Sequence, residues 1–275
     1  MKVEKIIRKS HFYNEDRFVL GDNFYMVIDG ATALQKTNLF KPTEASWFVS
    51  FVKQKLKGKK RGVYQKLSEI SRQAFYKFND ILSKNSFSLD DLLYCPSAGI
   101  SFAEINNDKV DIYTIGDCEA VIKLKSGKII RLIQPQLPEL DKIALEKIIE
   151  LKNEKRFKMK DAIRECSDIL LENRKLMNTP DGYSVYAPSL TGEFNFLKET
   201  FNLSEIEEIY LYTDGIAQAF DELKIYSNCE EMFSKSLDIK KEVDKIVKRA
   251  NLDKECEKYP RFKVIDDITI IKMTF

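Results

Sequence analysis

The chain is expected to fold as an α+β protein built on largely antiparallel sheets. Three observations carry that expectation. β-branched and aromatic runs open the chain, return over residues 98–133 and close it. Two long stretches with helical spacing, 43–84 and 138–176, lie between these blocks instead of alternating with single strands. No internal repeat, low-complexity tract or linker divides the 275 residues, so one domain over 1–275 is expected, with ample length for a core.

Each element has its own signal. Over residues 1–30, "VEKIIRKS" and "DRFVLGDNFYMVIDG" read as β-structure, with "LGDN" as hairpin punctuation. From Thr43 to about Lys84 the period becomes helical. Ala45, Phe48, Val49 and Val52 share one face, as do Leu67, Ile70, Ala74 and Phe78, and "KLKGKKRG" separates two helices. "AGISFAEI", "KVDIYTIG", "EAVIKL" and "KIIRLI" read as a four-strand antiparallel meander. Residues 138–176 read as a solvated helical pair, within a divergent segment at about 134–180. "EEIYLYTDG" is a strand ending on Asp-Gly, helical text runs from about Ile216 to Asn251, and "DDITIIKMTF" is a final strand.

Composition narrows the function classes. The net charge is only +2, which gives no whole-molecule reason to bind nucleic acid or a membrane surface. "MKVEKIIRKS" lacks the apolar centre of a signal peptide, and no apolar run approaches the ~18 residues of a spanning helix. The cysteines at 95, 118, 166, 229 and 256 are odd in number and contain no CxxC, so reduced thiols and a cytoplasmic location are expected.

Carboxylates at strand ends are the chemical signal. They are Glu15 and Asp16 in "NEDRF", Asp29 in "VIDGA", Asp117 in "TIGDCEA", Asp214 in "LYTDGIA", and Asp266 and Asp267 in "VIDDITII". Each abuts a run that should be buried, where desolvation penalises the charged form. Asp29 or Asp214 alone reads as a turn residue. As a converging set they would repel one another, and a hard divalent cation with oxygen ligands relieves that repulsion. With one histidine and no paired cysteines, the residues do not point to a zinc site. Gly30 is expected to let its carbonyl approach such an ion, and Gly215 to permit a sharp strand-to-helix turn.

In order and wording these motifs resemble the PP2C-type (PPM) metal-dependent serine/threonine phosphatases. The family pattern of NED-R, V-x-D-G, G-D-S-R, S/T-D-G and D-N-I-T-V is matched here by "NEDRF", "VIDGA", "GDCEA", "YTDGI" and "DDITI". "PSAGISFAEI" resembles the family's segment before the G-D turn. The resemblance implies a four-layer α-β-β-α sandwich, with two antiparallel sheets flanked by helices. It implies two Mg²⁺ or Mn²⁺ ions, with Asp29 bridging both, Gly30 giving its carbonyl, and Asp16 supporting that side with Glu15 beside it. Asp214 and Asp266 would hold the second ion. The implied reaction is removal of phosphate from phosphoserine or phosphothreonine in proteins, by in-line attack of a water held between the metals. A cytoplasmic monomer acting on phosphorylated protein is the expected form.

Departures from the pattern are informative. His11 stands where the family carries a phosphate-gripping arginine, with Arg8, Lys9 and Arg17 as possible substitutes. Gln218 replaces an aspartate that helps hold a third ion, leaving Asp117 as a weakened third-metal ligand. Asp267 replaces the usual asparagine, and "DGATAL" lacks a histidine general acid. A second class of function stays open: a catalytically weak PP2C-like module that binds a phosphoprotein or regulatory partner.

Overall fold

The computed structural model describes residues 1–10, 13–33, 35, 37–58, 62–87 and 95–275. In chain order the strands are β1 (Lys2–Arg8), β2 (Arg17–Leu20), β3 (Phe24–Ala31), β4 (Ser97–Asn106) and β5 (Lys109–Ile115). They continue with β6 (Glu119–Leu124), β7 (Ile129–Leu132), β8 (Leu197–Asn202), β9 (Ile206–Tyr212) and β10 (Ile268–Thr274). The helices are α1 (Glu44–Leu56), α2 (Val63–Ser83), α3 (Gln136–Lys155), α4 (Met159–Glu165), α5 (Ser167–Lys175), α6 (Asp214–Asp221), α7 (Cys229–Phe233) and α8 (Ile239–Asn251). Among the described residues, no helix is long and apolar enough to cross a membrane.

The strands form two five-stranded antiparallel sheets, ordered β1-β10-β9-β6-β7 and β2-β3-β4-β5-β8. The two sheets pack face to face with helices on both outer faces, which is the four-layer arrangement expected. Residue alternation explains the layering. Along β3, Phe24, Met26 and Ile28 face outward into a cluster with Phe48, Val52 and Leu67 of α1 and α2. Tyr25 and Val27 of the same strand face inward, toward Ile122, Leu211 and Ile271 of the other sheet. Along β9, Tyr210 and Tyr212 pack outward with Phe220, Phe233 and Val243, while Ile209 and Leu211 point inward. A strand buried on both faces has no polar side, which is why "FYMVI" and "IYLY" are unbroken apolar runs. Removing a side chain such as Phe48 from this interior would cost about 3–5 kcal/mol.

Local signals place the helices. The Thr43 hydroxyl accepts the Ser46 N–H at 3.1 Å and caps α1. The Asp238 carboxylate does the same for α8, from Lys241 N–H at 3.2 Å.

Four features differ from the sequence reading. Residues 98–132 are not one meander: β4 and β5 pair in one sheet, β6 and β7 in the other. The chain crosses between sheets at Gly116, whose φ of +73° suits glycine. β4, β5 and β6 are largely buried on both faces, so pattern alone could not say which sheet each joins. Likewise β1 leaves the N-terminal hairpin and pairs with β10, from the far end of the chain. The 138–176 segment forms three helices with a cluster of their own, in which Ile148, Met159 and Cys166 pack on Cys256. β8, "LKETFN", is an edge strand without alternation and was not anticipated.

Candidate metal centre

The expected carboxylates arrive at one end of the sandwich from different elements. Asp29 is near the end of β3, facing Gly99 in the β3–β4 register. Asp117 occupies the crossover after β5, Asp214 opens α6 just past β9, and Asp266 immediately precedes Asp267 and β10. Asp16 precedes β2 and is fully buried. Carboxylate oxygens of Asp29 and Asp117 and the Cys118 thiol lie within 4.8 Å of one another. Asp29 also feels the charges of Asp16, Asp214, Asp117 and Asp266. Residues up to 250 positions apart in the chain therefore share one electrostatic environment.

That environment opposes negative charge. Burial, reinforced by Asp267 and Asp266, pushes Asp16 up to about 8. Burial and the neighbouring carboxylates hold Asp29 and Asp214 well above the usual carboxylate range. Asp117 is raised in the same direction, chiefly by burial. Burial and Asp117 also push Asp141, on α3, up to about 7. Two buried oxygens, Asp16 Oδ1 and Asp214 Oδ1, have no hydrogen-bond partner in the protein. A fold that brings five carboxylates together and leaves two of their oxygens unpartnered has the donor set of a hard divalent cation.

Hydrogen bonds around the cluster fix its shape. The Thr213 hydroxyl donates to Asp16 Oδ2 at 2.9 Å and accepts the Thr269 N–H at 2.9 Å, joining Asp16 to the ends of β9 and β10. Asp267 is fully engaged. Its Oδ1 accepts the Ser10 N–H at 2.7 Å and the Ser10 hydroxyl at 2.9 Å, and its Oδ2 accepts the Glu15 N–H at 2.7 Å. This carboxylate ties the segment bearing "NED" to the C-terminal strand. Asp266 has a different setting: its Oδ1 accepts the Asp267 N–H at 2.9 Å, and its Oδ2 meets Lys263 Nζ at 2.6 Å.

The remaining candidates have the following surroundings. Glu15 Oε1 accepts hydroxyl hydrogen bonds from Thr32, at 2.5 Å, and from Thr43, the cap of α1. Gly30 lies against the Glu15 carbonyl, which would sit 2.8 Å from any Cβ placed there. Gly215 is needed for close approach and not for the turn itself, because a Cβ would meet the Asp267 carbonyl at 2.2 Å. Gln218 occupies the position of the missing aspartate, and its Oε1 accepts the Asp266 N–H at 3.2 Å. His11 lies outside the described residues. Of its possible substitutes, Arg17 is committed elsewhere, donating to the Asn14 and Asp16 carbonyls and to Ser46 and Ser50. Arg8 pairs with Asp244 at an exposed position.

Two residues in this environment escaped the sequence reading, Lys263 and Asp141. Lys263 lies three residues before Asp266, a spacing that could have flagged it. Asp141 sits on a helix of uninformative charge pattern, and only the fold brings it near Asp117.

No protein-family model and no curated protein matches the chain. Solved structures do match it. A serine/threonine phosphatase, Stp1 from Staphylococcus aureus, is similar over 100% of this chain and 94% of its own, with a TM-score of 0.55 and 13% identity. PppA, a regulatory component of the type VI secretion system in Pseudomonas aeruginosa, is similar over 100% and 97%, with a TM-score of 0.57 and 11% identity. The catalytic domain of the phosphatase PstP, in complex with two manganese ions, is similar over 98% and 96%, with a TM-score of 0.53 and 11% identity. The PP2C resemblance read in the motifs thus has its counterpart in three dimensions: this chain has the fold of the bacterial serine/threonine phosphatases.

Proposed function

We propose that this protein is a divalent-metal-dependent phosphomonoesterase that removes phosphate from phosphoserine or phosphothreonine in proteins. One observation carries the reading: buried strand-end carboxylates converge and leave Asp16 Oδ1 and Asp214 Oδ1 without a partner. Asp16, Asp29, Asp214 and Asp266 would hold two Mg²⁺ or Mn²⁺ ions, with the Gly30 carbonyl as a further oxygen and Glu15 in support. Asp117 is the candidate for a weaker third ion, since Gln218 brings no charge. The two manganese ions of PstP support the two-ion reading. When bound, such ions supply Lewis acidity and lower the pKa of water.

The chain's own groups prepare the site. Thr213 fixes Asp16 through its second oxygen, leaving the first buried and without a partner. Asp267 holds the "NED" segment in place through Ser10 and Glu15, so that Asp16 faces Asp29. Thr32 and Thr43 orient Glu15. Burial keeps bulk water from screening these charges, which strengthens attraction for a cation and for the charge of a phosphoryl group. His11 would contact that group. The five buried, unpaired thiols support a reducing compartment.

The test is hydrolysis of a phosphothreonine peptide with and without Mn²⁺. Turnover is expected only with the metal and is expected to disappear in Asp29→Asn. Mn²⁺ binding by the wild-type protein with no turnover would instead support a phosphoprotein-binding module.

A further inference from the structure

We propose that Lys263 binds the phosphoryl group of the substrate from the cluster side, in addition to the contact proposed for His11 where the arginine near "NED" is absent. The inference rests on the phosphatase reading above. A phosphate ester is dianionic and is gripped best by charged N–H donors. Arg17 is committed to carbonyls and serines, and Arg174 is buried, with its terminal nitrogens on Ser97 Oγ and the Cys95 carbonyl and its Nε unpartnered. Lys263 differs. Its ammonium sits 2.6 Å from Asp266 Oδ2, and its charge reaches Asp214, Asp29, Asp117 and Asp141. Yet 55% of its side chain is exposed, so a solvent-borne phosphate could reach it.

The base of this side chain is anchored, and its tip pairs with Asp266 at the edge of the cluster. Two residues earlier, the fully buried Arg261 donates to the Val264 and Tyr259 carbonyls and to Asp253. Phe262 and Val264 pack with Ile148 and Met159 of the α3–α4 cluster. The backbone that carries Lys263 is therefore locked between neighbours, while a flexible four-carbon stem delivers three donors. Its contact with Asp266 is an i,i+3 pair, 55% exposed on the lysine side and 14% on the carboxylate side, and a phosphate oxygen would compete for the same ammonium.

The experiment compares wild type, Lys263→Gln and Lys263→Arg by two readouts. One is steady-state hydrolysis of a phosphothreonine peptide with Mn²⁺. The other is calorimetric titration of inorganic phosphate into the Mn²⁺-saturated protein. For Lys263→Gln, KM and the phosphate Kd are each expected to rise about tenfold with kcat within about threefold, the size of one charge-assisted hydrogen bond. Lys263→Arg should retain most of the affinity. Mn²⁺ affinity should not fall in Lys263→Gln, because a competing cation has left the carboxylates. Unchanged KM and phosphate Kd would overturn the proposal, as would a loss of Mn²⁺ affinity, which would mark Lys263 as structural. Absence of turnover in the wild type would count against the phosphatase reading alone, since the phosphate titration would still decide for or against Lys263.

Discussion

Two buried charged regions, one around Arg261 and one around Asp29, have opposite characters. Around Arg261, every donor is used: the guanidinium bonds Asp253 Oδ2 at 2.8 Å and the carbonyls of Tyr259, Val264 and Asp253. Asp253 in turn accepts N–H bonds from Glu257, Lys258 and Tyr259. Around Asp29, carboxylates face carboxylates and two oxygens go unused. The first region is complete without any other molecule and serves architecture. The second leaves carboxylates facing one another, the repulsion that the proposed cations would relieve. Burial of charge is thus not itself a mark of function; burial of charge without a partner is.

The contrast can be broken from either side. The largest effect is expected in the incomplete region, where Asp214→Asn should lower Mn²⁺-dependent turnover by roughly a thousandfold, about 4 kcal/mol of barrier. Phosphopeptide hydrolysis at saturating Mn²⁺ measures it, and near-normal turnover would remove Asp214 from the centre. In the complete region, Arg261→Met should cost about 3–5 kcal/mol of stability by stranding Asp253, read as a lower urea midpoint. Adding Asp253→Leu should recover part of that loss, because no charge is then left alone.

A smaller effect separates the regions by pH. Burial raises Asp253, but its bonds to Arg261 and the backbone prevail and hold it below the usual range. Its contribution is therefore complete above the ordinary carboxylate value and fades only in stronger acid. Asp16, raised to about 8 chiefly by burial, acts oppositely. Between about pH 4 and pH 8 the folded, metal-free protein holds a proton that the unfolded chain has released, so stability falls as pH rises through that window. Thermal melts of metal-free protein should show this fall, and Mn²⁺ should flatten it by favouring the ionised form. A metal-free melt that is level from pH 4 to 8 would mean that these carboxylates are well solvated.

Much of this was legible before the fold was known. The helical faces of "EASWFV" and "KLSEISRQAF" point inward as their spacing requires. The strand-end carboxylates were recognisable because a charged residue closing an apolar run conflicts with burial. What escaped notice was information that a local pattern does not carry. Doubly buried strands look alike in either sheet, so the split at Gly116 and the pairing of β1 with β10 could not be read. Gly215 appeared to serve a turn, whereas the space it yields belongs to the Asp267 carbonyl, fifty-odd residues later.

The amino-acid sequence alone determined which residues bear charge, which runs must be buried, and hence that the strand ends carry a chemical conflict. Tertiary structure decided how that conflict is distributed. Asp266 and Asp267 are adjacent carboxylates that no propensity distinguishes. One is consumed by Ser10 and Glu15, and the other is left facing Lys263 and the cluster. Hydrogen bonds are made between groups that distant segments bring together, so only the packed chain can say which acid is already satisfied.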